Sequence, residues 1–183
     1  MNNNLNTNYL FKALDAYPFD LAETIEALNY ALAYDDNDVE ALYLMALVYG
    51  EQLHDYPKAI EYCEEVIAIQ IDFPKVYPLY IKILLNNGED SKVQKVLDFA
   101  LTLKGSDKAV LMLYQGTLFE SLNMYKKAIK TFKKAKKMGL NNHFISYVEG
   151  EISRVEKKLK PNKSKKKGKK KKKKKKGKTK NKA

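Results

Sequence analysis

Three side chains in this 183-residue sequence have the chemistry of a nucleophile or a general base: Cys63, His54 and His143. Cysteine catalysis requires the thiol and an imidazole within hydrogen-bond distance, with a third group that orients the base. The two histidines are about 90 residues apart, and no serine or cysteine stands beside either in such an arrangement. Cys63 also belongs to an apolar series described below, which favours a core position. We therefore expect no enzymatic activity.

Metal and phosphate chemistry have equally little support. A zinc site requires three or four Cys, His or carboxylate ligands, and the sequence has no cluster with three Cys and His residues. Phosphate-binding loops are glycine-rich, whereas Gly88 and Gly105 lie in the short sequences GED and KGSD, which are typical of turns. The sequence predicts neither a metal nor a cofactor.

Lysine is the most strongly clustered charged residue in the sequence. Fifteen of the 23 residues from Pro161 onward are lysine, and none is acidic. Such a segment attracts any polyanion, and its affinity falls with salt because bound phosphates release counterions. It has no aromatic or arginine side chain with which to read a base sequence. The lysines predicted to bind a polyanion here are Lys165, Lys166, Lys167, Lys169, Lys170, Lys171, Lys172, Lys173, Lys174, Lys175 and Lys176.

A second basic region is the sequence YKKAIKTFKKAKKMG at residues 125–139. Its apolar residues recur at helical spacing, which predicts an inward stripe and an outward lysine face. A solvated helix surface has the same pattern, but the continuity with the lysine-rich tail favours binding of the same polyanion. The lysines assigned to this face are Lys126, Lys127, Lys130, Lys133, Lys134 and Lys137, together with Lys136.

Charge changes sign along the chain. Residues 1–75 carry a net charge of −11, residues 76–160 carry +8 and residues 161–183 carry +15. Alternatives to RNA or another polyanion for the tail therefore include an anionic membrane surface and contact with the acidic N-terminal half. A nuclear-entry signal or a contribution to solubility alone also remains open.

The elements that must position these residues follow from an internal period of about 35 residues. Two apolar sets recur half a period apart, each at helical spacing, which predicts two helices per repeat. The set of the second helices has three series, whose members step by 35, 34 and 35: Thr24, Ala59, Val93, Ala128; Leu28, Cys63, Leu97, Phe132; Ala31, Val66, Ala100, Ala135. The set of the first helices steps by 35 throughout: Leu42, Tyr77, Met112; Ala46, Ile81, Gly116; Tyr49, Leu84, Phe119.

Short polar turns separate these helices, and Asp107 is placed to cap one of them after a helix stop at Gly105. The clearest repeat is MLYQGTLFESLNMYKKAIKTFKKAKKMG at residues 112–139, where Gly116, Phe119, Ala128, Phe132 and Ala135 match a known signature. The chain resembles the tetratricopeptide repeat family over roughly residues 5–139. The second copy holds one extra residue near its helix turn, and the first copy retains only its second helix, residues 20–34, in good form.

The resemblance implies an all-α solenoid of antiparallel helix pairs, whose first helices line a concave groove for a protein or peptide. The implied groove residues are Tyr43, Leu44, Leu47, Glu51, Leu79, Lys82, Asn86, Leu113, Tyr114, Thr117 and Glu120, and several could instead pack between repeats. Family members that bind chaperone C-termini use a carboxylate clamp of Lys, Asn and Arg. The corresponding positions here are Tyr9, Ala13, Leu44, Val110 and Tyr114, so that clamp is absent.

After Gly139, apolar residues three or four apart predict one more helix, which would cap the stack before Pro161 ends it. The prediction is a repeat domain over residues 1–160 and a disordered lysine-rich tail over 161–183. Repeats are expected at about 5–37, 38–73, 74–106 and 107–140, with the capping helix at 141–160.

A single cysteine, with no secretory leader and no membrane-spanning window in the sequence, favours a cytoplasmic protein. Together with the groove that the resemblance implies, the patterns predict a non-enzymatic scaffold that binds a protein partner and is tethered by its lysines to RNA, the ribosome or another polyanion. The alternative is a pure protein–protein adaptor whose tail serves solubility, membrane-surface attraction or self-contact with the acidic half.

Overall fold

The computed structural model describes the backbone of residues 3–159 and the side chains of residues 8–159. The tail predicted to be disordered, and its lysines, lie outside this range. The described residues are all-helical, as predicted, and none of their helices is long and apolar enough to cross a membrane. The helices are α1 (Asn3–Ala16), α2 (Leu21–Tyr34), α3 (Val39–Leu47), a π-helical turn (Val48–Gln52), α4 (Tyr56–Ile69), α5 (Val76–Asn86), α6 (Asp90–Ala100), α7 (Lys108–Ser121), α8 (Tyr125–Met138) and α9 (Asn142–Leu159).

The periodic positions of the second helices are buried in the core. All twelve members of the three second-helix series, from Thr24 to Ala135, are 0% exposed to solvent. Burial of an apolar side chain stabilises a fold by about 1.5–3 kcal/mol for the larger residues, so this stripe holds α2, α4, α6 and α8 in place. Cys63 is one of the twelve, which confirms its predicted core position.

Aspartates begin several of the helices. The carboxylate of Asp20 accepts a hydrogen bond from the backbone N–H of Glu23, and Asp38 accepts from that of Ala41. Asp107 accepts from the N–H groups of Ala109 and Val110, which confirms its predicted capping role. Each bond satisfies a donor that the first helical turn leaves unpaired. The helix stop predicted at Gly105 was wrong, because α6 already ends at Ala100.

The turns between α3 and α4, between α5 and α6 and between α7 and α8 share one backbone feature. His54, Gly88 and Asn123 all have positive φ, at 55°, 77° and 58°. These residues follow one another by about one repeat length in the sequence. A left-handed residue reverses the chain between two helices, and glycine, asparagine and histidine tolerate this conformation better than most residues.

The extra residue predicted in the second copy is accommodated by the π-helical turn Val48–Gln52. The N–H of Leu53 bonds to the carbonyl of Val48, five residues earlier, instead of four. A π-helical turn spans one more residue per hydrogen bond than an α-helical turn and so has room for an inserted residue. It also brings Gly50 against Ala59 and Ile83, where an added Cβ would lie 2.8 Å from Ile83 Cδ1.

The chain divides into two compact units, Met1–Tyr114 and Gln115–Ala183, and the boundary falls within α7. In the first unit, α1 packs on α2, α3 on α4 and α5 on α6, while α4 also packs on α5. α1 is better formed than its degenerate sequence predicts, because Ala13 is buried and Tyr9 and Leu10 pack against the α2–α3 core.

The second unit begins within α7 and contains α8 and α9. Gly116 faces the ring of Phe132 so closely that an added Cβ would lie 2.4 Å from it. α9 packs on α8, and Val148 and Val155 from its predicted apolar stripe are fully buried. The stripe therefore attaches α9 to the preceding helix.

Candidate functional site

The residues predicted to line a groove differ widely in exposure. Four are buried, with at most 8% of their surface exposed, and Asn86 is exposed. Side chains in the buried group contribute to the core more than to a free surface. The buried residues are Leu44, Leu79, Leu113 and Glu120, and the half-buried ones are Tyr43, Leu47, Glu51, Lys82, Tyr114 and Thr117.

Glu51 and Lys82 are paired with each other. Lys82 Nζ lies 2.7 Å from Glu51 Oε1 and 2.6 Å from Oε2, which joins the π-helical turn to α5. The side chains of Lys82 and Glu51 retain 41% and 28% exposure, so water screens the pair and it contributes about 0–1 kcal/mol to stability. The pair is electrically neutral as a whole and keeps partly exposed donor and acceptor atoms.

Tyr43 lies on α3, eight residues before Glu51 in the sequence, and provides aromatic surface. Its ring meets Phe73 edge-on, with 5.6 Å between the ring centres. Burial raises the pKa of the Tyr43 hydroxyl, so it stays protonated and can donate a hydrogen bond throughout the physiological range. Leu47, one turn along α3, is also half-buried, so both side chains leave part of their apolar surface open.

α7 contributes residues to both units. Leu113 and Tyr114 belong to the first unit, and Thr117 and Glu120 to the second. Leu113, Tyr114 and Thr117 all make interactions within the folded chain. Of the eleven residues predicted from sequence to line the groove, nine belong to the first unit.

Glu120 binds α9. Arg154 Nη1 lies 2.5 Å from Glu120 Oε1, Nη2 lies 2.5 Å from Oε2, and Lys158 Nζ lies 2.6 Å from Oε1. Burial alone would raise the pKa of Glu120, but the hydrogen bonds from Arg154 and Lys158 outweigh it and hold the pKa below its ordinary value. Arg154 also bonds to Glu151, one turn earlier on α9. The carboxylate is therefore occupied by residues of its own chain.

Sequence reasoning missed Arg154 and Lys158 as partners of Glu120, although a signal was present. Several polar contacts join residues about one repeat apart: Glu120 and Arg154 are 34 apart, Glu40 and Lys75 are 35 apart, and Tyr17 and Gln52 are 35 apart. Opposite charges at about the repeat spacing would have pointed to the pairs Glu120–Arg154 and Glu40–Lys75.

The lysine face of α8 is formed by Lys126, Lys127, Lys130, Lys133, Lys134 and Lys137, all of them exposed. The opposite side of the helix is buried through Ala128, Thr131, Phe132 and Ala135. Lysines at spacings of three and four lie on one side of a helix, and this set extends over about 16 Å at 1.5 Å per residue. This surface is a candidate contact for consecutive phosphates.

Two other lysines near this face are engaged within the chain. Lys136 Nζ lies 2.6 Å from Glu149 Oε1 on α9, and Lys158 is bound to Glu120. Lys127 Nζ stands over the Phe119 ring, 5.8 Å from its centre, and is otherwise exposed. The lysine face of α8 is therefore basic but not uniformly so, since Glu149 neutralises its α9 edge.

The three residues considered first for catalysis lie in different surroundings, since Cys63 is buried and the two histidines are not. Burial raises the pKa of the Cys63 thiol to about 12, which leaves it protonated and unreactive at neutral pH. His54 and His143 are exposed, and the ring of His54 faces the carbonyl of Gly50. Within residues 3–159, no three His, Cys, Asp or Glu side chains are grouped as metal ligands.

Comparison with known proteins bears on the fold. Residues 39–70 match the family model described as the tetratricopeptide repeat. PilF of Pseudomonas aeruginosa is similar in structure, with a TM-score of 0.70 at 15% identity over 89% of this chain and 74% of that one. TTC0263, a thermophilic TPR protein of Thermus thermophilus, has a TM-score of 0.66 at 18% identity over 81% and 84% of the two chains. YrrB, a TPR protein with an unusual peptide-binding site, has a TM-score of 0.62 at 15% identity over 81% and 76%. No curated protein sequence matches the chain significantly.

Proposed function

Because this chain carries a tetratricopeptide repeat at residues 39–70 and has the fold of tetratricopeptide-repeat proteins, we propose that it is a non-enzymatic scaffold for a protein partner. The partner would contact the first-helix face, which we define by Tyr43, Leu47, Glu51, Lys82 and Asn86. One observation carries this proposal: the face combines half-buried tyrosine and leucine with a paired Glu51–Lys82 dipole at 2.6 Å. The lone, buried Cys63 suits a reducing cytoplasm.

This combination favours binding of an extended or helical peptide. Tyr43 and Leu47 can bury apolar side chains, while Glu51 and Lys82 retain enough exposure to exchange hydrogen bonds with a peptide backbone. The buried neighbours Leu44 and Leu79 would fix the backbone beneath the face without touching the partner. YrrB supports the proposal by likeness of fold, since it is a TPR protein with a peptide-binding site.

An affinity purification tests the first-helix face. The tagged full-length chain is compared with Asn86→Arg, which places a bulky charge at the exposed end of α5, and with the control Asn29→Arg, at an exposed position of α2. Nuclease treatment of the native cell extract removes partners that are held only through nucleic acid. We expect one or more proteins to be retained by the wild type and Asn29→Arg and to be missing from Asn86→Arg. An unchanged set of bound proteins would refute the face as the binding site.

A second function, tethering to RNA or another polyanion, is favoured by the six exposed lysines of α8 and the fifteen lysines from Pro161 onward. We propose that the lysine face of α8 and the C-terminal lysines bind phosphates together. Contacts of this type position a molecule but do not read its sequence. Charge density, and not a base sequence, would therefore govern the choice of polyanion.

Fluorescein-labelled polyuridine provides the test. Its affinity for the full chain is measured against salt, with a chain truncated after Lys160 and a truncated chain whose six α8 lysines are glutamines. We expect truncation to reduce the log–log salt slope by about 0.7 for each phosphate that is no longer bound, and the glutamines to remove most of the remaining slope. If truncation leaves affinity and slope unchanged, the tail takes no part in phosphate binding and the joint tether of tail and α8 is refuted.

A further inference from the structure

A cleft lies on the second-helix side of the first unit, between α4 and α6. Its volume is about 380 Å³, within the range of sites that receive a ligand or a peptide side chain. α5 forms its floor, and its apolar lining includes Ile67, Ala68, Ile71, Tyr77, Val96 and Phe99. Two charged residues also line the cleft, Glu64 on α4 and Lys95 on α6. Ile71 and Phe99 remain 57% and 38% exposed, so the cleft opens to solvent.

The cleft is distinct from the first-helix face. Tyr77 and Tyr80 of α5 point toward it, whereas Lys82 and Asn86 lie on the opposite side of the same helix at 100° per residue. A partner on one surface would therefore leave the other open. The inference does not depend on the proposed function of the first-helix face.

The tyrosine hydroxyls on the floor of the cleft already have hydrogen-bond partners within the chain. The Tyr77 hydroxyl donates to the carbonyl of Ile71, and the Tyr80 hydroxyl donates to Glu64 Oε1 at 2.7 Å. The Tyr77 and Phe99 rings are 5.6 Å apart and form one aromatic wall. An occupant therefore gains most by inserting apolar side chains.

The rim along α4 is acidic. Glu61, Glu64 and Glu65 precede Ala68 at spacings of seven, four and three, so they extend the same side of the helix. Lys92 lies 3.9 Å from Glu64, but neither Glu61 nor Glu65 has a cation within ion-pair distance among residues 8–159. Glu61 and Glu65 lie beyond the lining on the α4 side, and Lys95 lines the α6 side. An occupant therefore gains from basic residues only along the edge that faces α4.

We propose that this cleft receives an amphipathic helix of a partner protein, with apolar residues at i, i+3 or i+4, and i+7, and with Lys or Arg along the edge that faces α4. The lining of α4 from Glu64 to Ala68 spans about 6 Å, slightly more than one helical turn, and Ile71 extends it beyond the end of α4. Anchors on neighbouring turns of the occupant can therefore insert. The lysine-rich tail of this chain has no large apolar residue after Pro161 and does not meet this requirement.

Two synthetic helical peptides of about 14 residues provide the probes. Both carry leucines at the stated spacing, and they differ only in flanking lysines or flanking glutamates. The full chain has a net charge of +12, so unspecific attraction would favour the glutamate peptide, whereas the cleft favours the lysine peptide. We expect the lysine peptide to bind at least tenfold more tightly, and amide shifts in ¹⁵N spectra to be confined to α4, α5 and α6. Equal binding, or tighter binding of the glutamate peptide, would overturn the proposal.

Variants test the apolar lining of the cleft and the carboxylates of α4 separately. Ala68→Arg is an exposed change that fills the cleft, and we expect it to lower the affinity for the lysine peptide at least tenfold. The double variant Glu61→Gln and Glu65→Gln should lower it about threefold to tenfold and reduce its salt dependence. Glu26→Gln, at an exposed position of α2, is the matched control and should leave binding unchanged.

Retained binding in Ala68→Arg with unchanged circular dichroism would refute the cleft as the site. Sedimentation equilibrium of the full chain distinguishes a second copy as the occupant. A dimer that Ala68→Arg abolishes would assign the cleft to self-association and overturn the proposal of a partner protein. A monomer whose peptide binding is abolished in Ala68→Arg supports it.

Discussion

Arg154 forms a bidentate ion pair with the carboxylate of Glu120, and both nitrogen–oxygen distances are 2.5 Å. The two residues are 34 apart in the sequence. The Glu120 side chain is only 8% exposed, whereas that of Arg154 is 45% exposed. A bidentate pair of this kind fixes orientation as well as distance. It attaches α9 to the end of α7 within the second unit, and it occupies a residue that sequence alone assigned to partner binding.

Glu120→Gln should lower the free energy of unfolding by about 1–3 kcal/mol at pH 7, because Arg154 and Lys158 lose their charged partner. The folded-state pKa of Glu120 is lowered, so its contribution is present above the unfolded pKa of about 4.3 and is lost as pH falls through the folded pKa. The difference between wild type and variant should therefore shrink below about pH 4. Urea unfolding followed by circular dichroism at several pH values measures this difference.

Glu149→Gln is the control for that prediction. It removes the partner of Lys136, but both side chains are largely exposed, at 53% and 41%, so the expected loss is below about 1 kcal/mol. Hydrogen exchange of α9 amides should accelerate in Glu120→Gln and change little in Glu149→Gln. Equal effects in the two variants would contradict a special role for Glu120.

Gly88→Ala should destabilise the protein by about 1 kcal/mol. Gly88 has a φ of 77° and no atom lies within 4 Å of an added Cβ, so the cost comes from the backbone alone. Gly150→Ala is the matched control, since Gly150 has the same open space but lies within α9 and should gain about 0.5–1 kcal/mol from helix propensity. Thermal unfolding of the two variants should thus shift in opposite directions, and parallel shifts would contradict this account.

Gly116→Ala should cost about 1–3 kcal/mol through overpacking, because its new Cβ would lie 2.4 Å from the fully buried Phe132 ring. Gly50→Ala should cost less, since its nearest neighbour at 2.8 Å is Ile83 Cδ1, the end of a flexible side chain. Denaturant midpoints of the two variants test this order. The reverse order would show that the π-helical turn is less able to adjust than α7.

Cys63 should resist thiol reagents in the folded protein. Burial raises its pKa to about 12, so the thiolate that reacts is scarce at pH 8, and access is blocked as well. With a disulfide reagent that releases a coloured thiolate on reaction with cysteine, we expect absorbance to rise only after denaturant is added. Ser153→Cys, at an exposed position of α9, is the positive control and should react at once. Rapid reaction of the native wild type would contradict the burial of Cys63.

The period of the sequence determined where the helices lie and which residues form the core. It placed Thr24, Cys63 and Phe132 in buried series because side chains at i, i+3 and i+4 share one side of a helix, whatever the helix packs against. The extra residue in the second copy was also visible, and the structure absorbs it in the π-helical turn Val48–Gln52. Local spacing suffices for such inferences.

Only the tertiary structure decided which polar residues of the first-helix faces are engaged. Glu51 pairs with Lys82 and Glu120 with Arg154, over separations of 31 and 34 residues, because stacking of helices brings together positions that local spacing keeps apart. Stacking likewise buries Leu44 and Leu79 and opens the cleft beside Ala68. Helical periodicity fixes the direction of a side chain around its own helix, but the neighbour that it meets depends on how separate helices pack.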